Sequence, residues 1–171
     1  VKCTAGFIPQ DGWRYPRVRY ENFSEPTQGW KFHIIMTEKD AEKVLTKLMP
    51  ILEAFHLDYK VIDGIEELRA QNARGGTQQG KNIAIFLTER RADLIAKKFM
   101  KLSETDDRKH EKVARFVGNT LNDELIEAGI GPAEGLAFSA TGQGGDKEFL
   151  ADGPQQSKRI GYRYGSFTSF E

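Results

Sequence analysis

The chain has 171 residues, 39% of them hydrophobic and 29% charged, and its 25 basic and 25 acidic side chains cancel to a formal net charge of zero. That composition suits one domain spanning 1–171 with a real core, and the neutrality argues against a general nucleic-acid binder or a membrane-surface protein. The single Cys3 excludes an intramolecular disulfide and a multi-cysteine metal site, and with no 18-residue apolar run and no apolar signal stretch the expectation is a soluble, cytoplasmic chain, or an effector exported without a classical signal peptide.

Residues 1–29 are rich in aromatics, prolines and arginines and hold no period, so they read as an irregular lead-in with one short strand at most, closed by a turn over 26–29. Arg14, Arg17 and Arg19 there are either a solvated arm or a lip for an acidic or phosphorylated ligand. Residues 29–36 alternate polar and apolar residues, then turn to β-formers, which predicts a strand. Lys31, His33 and Ile35 share one face of it and Phe32, Ile34 and Met36 the other, with same-face neighbours about 6–7 Å apart. An ammonium and an imidazole therefore point from one rigid surface toward one small volume.

Thr37 is placed to cap a helix whose apolar residues run from Ala41 to Phe55, with Pro50 expected to kink or end it. His56 reads as a partly exposed histidine after that helix. A second strand is expected at 59–62, in a β-helix-β arrangement with the first, and a short helix at 65–71. The glycine-rich loop at 72–80 matches no nucleotide fingerprint, yet its amides, with Arg74 and Lys81, could receive an anion. A third strand at 82–87 leads into a helix capped by Thr88, with core residues Ala92, Leu94, Ile95, Phe99 and Leu102. His110 lies in a charged turn and reads as solvated. A further helix runs from Val113 to near Gly129. Irregular chain at 131–156, with a possible strand at 136–138, precedes a last strand at 159–165. On it Arg159 and Arg163 share a face and could clamp a phosphate, or serve only as edge-strand charges.

The fold class this predicts is α+β, a twisted and mostly antiparallel sheet carrying helices. No serine or cysteine sits beside a base for nucleophilic hydrolysis, and no acid/histidine cluster suggests a metal, so no cofactor is called for. Lysines and arginines around one histidine suit β-elimination of an anionic leaving group. One desolvated lysine would act as base, a second would stabilise the enolate, the histidine would protonate the leaving phosphate and arginines would hold it. Other chemistries remain open on residue types alone.

The run Gln28-Gly29-Trp30-Lys31-Phe32-His33-Ile34 resembles the motif that opens the N-terminal lyase domain of class III and class IV lanthipeptide synthetases, and the Lys-Phe-His-Ile of the related phosphothreonine lyase effectors of pathogenic bacteria. Tyr59-Lys60-Val61, 27 residues beyond His33, Arg74, the segment from Gly80 to Phe86, Gly131-Pro132 and the tail from Tyr162 to Phe167 resemble further motifs of that family in the same order. The resemblance implies a phosphoserine/phosphothreonine lyase acting on a phosphorylated peptide or protein, with Lys60 as base, His33 as acid, Lys31 polarising the carbonyl, and Arg74 and Arg163 binding phosphate; Lys81 and Arg159 are further phosphate-binding candidates from the residues themselves. The chain departs from the family twice. Phe86 stands where a tyrosine is expected, and no acid matches the family's position shortly after Gly131-Pro132. These departures motivate an alternative, a catalytically impaired module that only binds phosphorylated or acidic peptides. A third reading makes Lys31 and His33 ordinary strand residues of an interaction domain. The kinase and cyclase regions of the synthetases are absent from the sequence, which suggests a free-standing lyase or a fragment.

Overall fold

A computed structural model of the chain describes residues 6–22, 27–73, 78–136, 148–149 and 156–167. Where an irregular lead-in is expected, the chain forms a hairpin of β1 (Phe7–Gln10) and β2 (Trp13–Pro16). Its turn residues Asp11 and Gly12 have φ of 52° and 83°. Two positive angles in succession are what a two-residue hairpin turn needs to match the twist of its strands, and Asp-Gly is a common way to supply them.

Strand β3 (Thr27–Ile34) also departs from expectation by running through Gly29. A Cβ at Gly29 would lie 2.2 Å from the Leu87 carbonyl oxygen and 2.9 Å from the Thr88 Cα. The glycine serves a close backbone approach rather than a turn. Thr37 does not cap the following helix. It closes a separate turn, its N–H donating to the Asp40 carboxylate at 2.8 Å and its hydroxyl accepting from the Asp40 N–H at 3.2 Å. Helix α1 (Ala41–Ala54) then runs straight through Pro50. The proline is exposed, so water can serve the carbonyl that its missing N–H leaves unbonded.

Strand β4 (Asp58–Ile62), α2 (Ile65–Ala73), β5 (Ile83–Thr88) and α3 (Glu89–Ile95) follow. Thr88 does cap α3, its Oγ1 accepting from the Arg91 N–H at 3.0 Å. A π-helical turn at Ala96–Met100 extends α3 and ends at Lys101, in a left-handed conformation with φ 52°. From Ala96 onward the widened turn departs from the helical period on which the expected core position of Phe99 rests. Ala92 and Ile95 are buried, but Leu94 and Phe99 are 43% and 42% exposed. Helix α4 (Lys109–Glu127) ends before Gly129, at φ 77°, as its sequence indicates. Strands β6 (Glu148–Phe149) and β7 (Ile160–Phe167) complete the described chain. Leu136 is not in a strand, and 137–138 fall outside the described residues.

The seven strands form one sheet in the order β1-β2-β4-β5-β3-β7-β6, with every pairing antiparallel. The class is α+β as expected, but β3 and β4 are not neighbours, because β5 lies between them. One face of the sheet, carrying Phe32, Ile34, Tyr59, Val61, Ile83, Ile85 and Leu87, packs into a single core with Leu48 and Leu52 of α1 and Val113, Val117 and Leu121 of α4. Among the described residues no helix is long and apolar enough to cross a membrane.

Candidate active site

Directly paired residues of antiparallel strands present their side chains on the same face. On the face turned away from α1 and α4, the register therefore lays down two rows across four strands. One row is Gly161, His33, Ala84 and Lys60. The other is Arg163, Lys31, Phe86 and Asp58. With strands about 4.8 Å apart, the backbones of His33 and Lys60 stand about 10 Å apart, with only the Ala84 methyl between them. A larger residue at position 84 would fill that gap.

The gap is a cavity of about 120 Å³. Lys31, His33, Lys60, Ala84 and Arg163 line it from the rows, joined by Trp13 of β2 and by Gln78 and Lys81 from the segment entering β5. At roughly 30 Å³ per water it has room for about four waters. That suits one small anionic group and falls well short of the roughly 300 Å³ where drug- and cofactor-sized pockets begin.

The cations are largely withdrawn from water: Lys31, His33 and Lys81 are each 6% exposed and Lys60 is 9% exposed. The Lys60 ammonium lies 4.2 Å from the centre of the Trp13 ring, and that of Lys31 lies 5.3 Å from the centre of Phe86. Both distances fall within cation–π range. Arg163 has a buried Nε with no hydrogen-bond partner among the described residues, and its strand position is directly opposite Lys31. Like charges across a strand pair destabilise a sheet, and so does taking cations out of water. No acid lines the cavity among the described residues. Asp58, at the end of one row, is 3% exposed and accepts hydrogen bonds from the backbone N–H groups of Tyr20 and Glu21, each at 2.9 Å. Burial raises its carboxyl pKa above the ordinary range against the pull of those two bonds. The arrangement concentrates positive potential in a small, poorly hydrated space.

Lys81 is held in this wall by a buried amide cluster that the sequence did not reveal. The Asn82 side chain accepts from the Met36 N–H at 2.8 Å and donates to Gln71 at 2.6 Å and Asn72 at 2.8 Å. Asn72 in turn donates to the Met36 carbonyl at 2.9 Å and accepts from the Gly80 N–H at 3.2 Å. The end of β3, the end of α2 and the start of β5 are thus tied together beside the cavity. Asn82→Ala leaves several buried groups unpaired, at about 1–3 kcal/mol each. We expect urea denaturation to show it at least about 3 kcal/mol less stable than the parent.

Of the residues proposed from sequence, Lys31, His33, Lys60, Lys81 and Arg163 come together. Arg159 does not join them. Lys158, at φ 58°, precedes it, and β7 begins only at Ile160. The Arg159 guanidinium instead donates to the Gly131 carbonyl at 2.7 Å and the Ile35 carbonyl at 3.3 Å, and pairs with Asp40 at 2.7 Å. Arg74 lies outside the described residues. His56 is exposed and stacks on Tyr20, as its position after the helix suggests. His110, expected to be solvated, sits between Asp93 at 2.7 Å and Glu89 at 3.0 Å. Sequence reasoning missed Trp13 and Ala84, although recognising the Asp11-Gly12 hairpin would have placed Trp13 at the start of a strand.

Comparison with known proteins bears on the fold and the family. The chain shares its fold with the type III effector and phosphothreonine lyase OspF from Shigella flexneri. The match has a TM-score of 0.50 and 16% sequence identity, and it covers 95% of this chain and 71% of that one. A second match, the phosphothreonine lyase effector SpvC from Salmonella, has a TM-score of 0.45 and 15% identity, with coverage of 92% and 70%. No curated protein sequence matches the chain. The family model for the RamC N-terminal domain matches residues 4–105. With more than half of its length so matched, and as its motifs led one to expect, the chain belongs to the RamC N-terminal domain family.

Proposed function

We propose that the protein is a phosphoserine/phosphothreonine lyase that removes phosphate from a phosphorylated peptide or protein by β-elimination. The observation that carries this reading is the 120 Å³ cavity ringed by Lys31, Lys60, Lys81 and Arg163 around His33, with no acid in its described lining. Arg163 and Lys81 hold the phosphate, and Arg74 is a further candidate for that role. Lys60 takes the proton from Cα, and the electron pair of that C–H bond becomes the Cα=Cβ double bond as the Cβ–O bond breaks. Lys31 stabilises the negative charge that builds on the neighbouring carbonyl, and His33 gives a proton to the departing phosphate oxygen. Desolvation and neighbouring positive charge both favour the neutral amine that Lys60 needs to act as base.

Two features support a second reading, in which the module binds a phosphorylated or acidic peptide without turning it over. The Trp13 face against Lys60 favours the charged ammonium. Phe86 offers no hydroxyl beneath Lys31. Mass spectrometry of a phosphothreonine peptide after incubation with the protein separates the readings. We expect loss of about 98 Da, by the arithmetic of leaving phosphoric acid from a phosphomonoester, and a dehydro residue in its place. Loss of the phosphoryl unit alone, leaving a hydroxyl, would overturn the elimination mechanism. An unchanged peptide that binds would establish the second reading.

A further inference from the structure

Strand β5 is a run of large residues, Ile83, Ile85, Phe86 and Leu87, broken by one small one, Ala84. Alanine is a poor strand former beside β-branched and aromatic neighbours, so strand formation does not account for it. The position is central. β5 lies between β4 and β3, and Ala84 pairs directly with Lys60 on one side and with His33 on the other. The backbone on either side of it is fixed by Ile83 and Ile85, both fully buried in the core. From β2 the Tyr15 ring packs against Ala84 and Phe86. Among the described lining residues of the cavity, Ala84 alone has no side-chain rotamer to change. Its methyl stands wherever the doubly paired strand puts it, and forms a rigid floor.

In the elimination described above, Lys60 works on the hydrogen of Cα and His33 on the oxygen of Cβ. The Cα–Cβ bond of the substrate therefore lies along the row between them, over Ala84. With the phosphate drawn to Arg163 and Lys81, the other substituents of Cβ are what the Ala84 methyl meets. Phosphoserine brings two hydrogens there, and phosphothreonine a hydrogen and a methyl. A cavity with room for about four waters is largely filled by a phosphate and the carbon that bears it. Each further carbon on Cβ is then felt in full, as in any close-packed interior.

We propose that Ala84 is the specificity-determining residue of the site, its methyl leaving space for the Cβ methyl of phosphothreonine and for no larger Cβ substituent. This rests on the lyase reading given above. One methylene gained or lost against a closed apolar wall changes kcat/KM by about 10- to 200-fold. A residue kept small only to pack under Tyr15 would, when replaced, alter stability and affect all substrates alike.

The test uses three peptides identical except for phosphoserine, phosphothreonine or phosphorylated β-hydroxynorvaline, which carries an ethyl group where threonine carries its methyl. With the parent we expect kcat/KM for the ethyl peptide to be at least about tenfold below that for phosphothreonine. Ala84→Gly, which lowers the floor by one methyl, should narrow that gap to about threefold or less. Ala84→Val, which raises it by two, should cut kcat/KM for phosphothreonine at least about tenfold more than for phosphoserine. Three results overturn the proposal and leave the lyase reading standing: a parent that turns over phosphoserine alone, or the ethyl peptide as well as phosphothreonine; a gap unchanged in Ala84→Gly; or a serine-to-threonine ratio unchanged in folded Ala84→Val. Where circular dichroism shows Ala84→Val unfolded, the parent and Ala84→Gly decide. If the parent eliminates phosphate from none of the three, the lyase reading falls instead. The affinities of the same peptides then decide: loss of affinity for the ethyl peptide that Ala84→Gly restores supports the proposal, and equal affinities overturn it.

Discussion

Lys60→Ala is expected to lower kcat for phosphate elimination by about 10²- to 10⁴-fold, the contribution of a positioned general base, while the protein stays folded. The fold should tolerate the change because Lys60 is a largely buried cation near Lys31 and Lys81, and its removal relieves like-charge crowding. Its partner on the sheet, Ala84, is small and makes little use of the lysine stem. Thermal melting should therefore show a midpoint within a few degrees of the parent's, the difference being the Trp13 contact that is lost.

Lys60→Arg is the more informative companion. It keeps the positive charge, but a guanidinium cannot give up its proton at accessible pH. If Lys60 is the base, Lys60→Arg should bind phosphopeptide and release no phosphate. If Lys60 serves only to attract phosphate, Lys60→Arg should retain much of the activity. Continuous measurement of released phosphate together with peptide affinity separates the two.

The second large effect is on stability and lies outside the cavity. Arg159→Met is expected to destabilise the fold by about 3 kcal/mol, near the lower end for breaking a buried ion pair. The low end applies because Asp40 is partly exposed, its side chain keeping 21% of its accessibility against 4% for Arg159. The affinity for phosphopeptide should hardly change, since the guanidinium is engaged by Asp40, Ile35 and Gly131. A rise in KM with unchanged stability would instead return Arg159 to phosphate binding. Burial pushes the Asp40 carboxyl pKa up, but the Arg159 fork, the Thr37 N–H and the Arg159 charge outweigh it and hold it below the ordinary carboxylate value. A depressed pKa in the folded state contributes stability that is present above the unfolded value of about 4 and is lost as pH falls through the folded one. The parent should therefore lose this part of its stability in acid, and Arg159→Met, measured by urea denaturation down the same pH series, should show a smaller loss.

Alternation along single strands was legible in the sequence, because side-chain facing on a strand is a local property with a period of two. It put Lys31 and His33 on one face and Phe32 and Ile34 on the other, and the structure keeps both assignments. The same logic fails at Arg159, where the left-handed Lys158 stands just before the strand. The helical period likewise fails at Phe99, inside a π-helical turn that departs from the regular 3.6-residue repeat, whereas Leu94 lies in α3 ahead of that turn, two residues from buried Ala92 and so off its face. Neither irregularity has a residue signature as clear as the Asp-Gly of the opening hairpin.

By itself, then, the sequence determined the α+β class, the chemical types available to a site and the face on which Lys31 and His33 stand, all of which follow from near neighbours along the chain. Only the tertiary structure decided that β5 lies between β3 and β4, and that Ala84 falls in register between His33 and Lys60. It alone placed Trp13 over Lys60 and tied Lys81 into the wall through Asn72 and Asn82. Strand order and register are set by packing between segments distant in the chain. The cavity owes its size and its charge to that pairing.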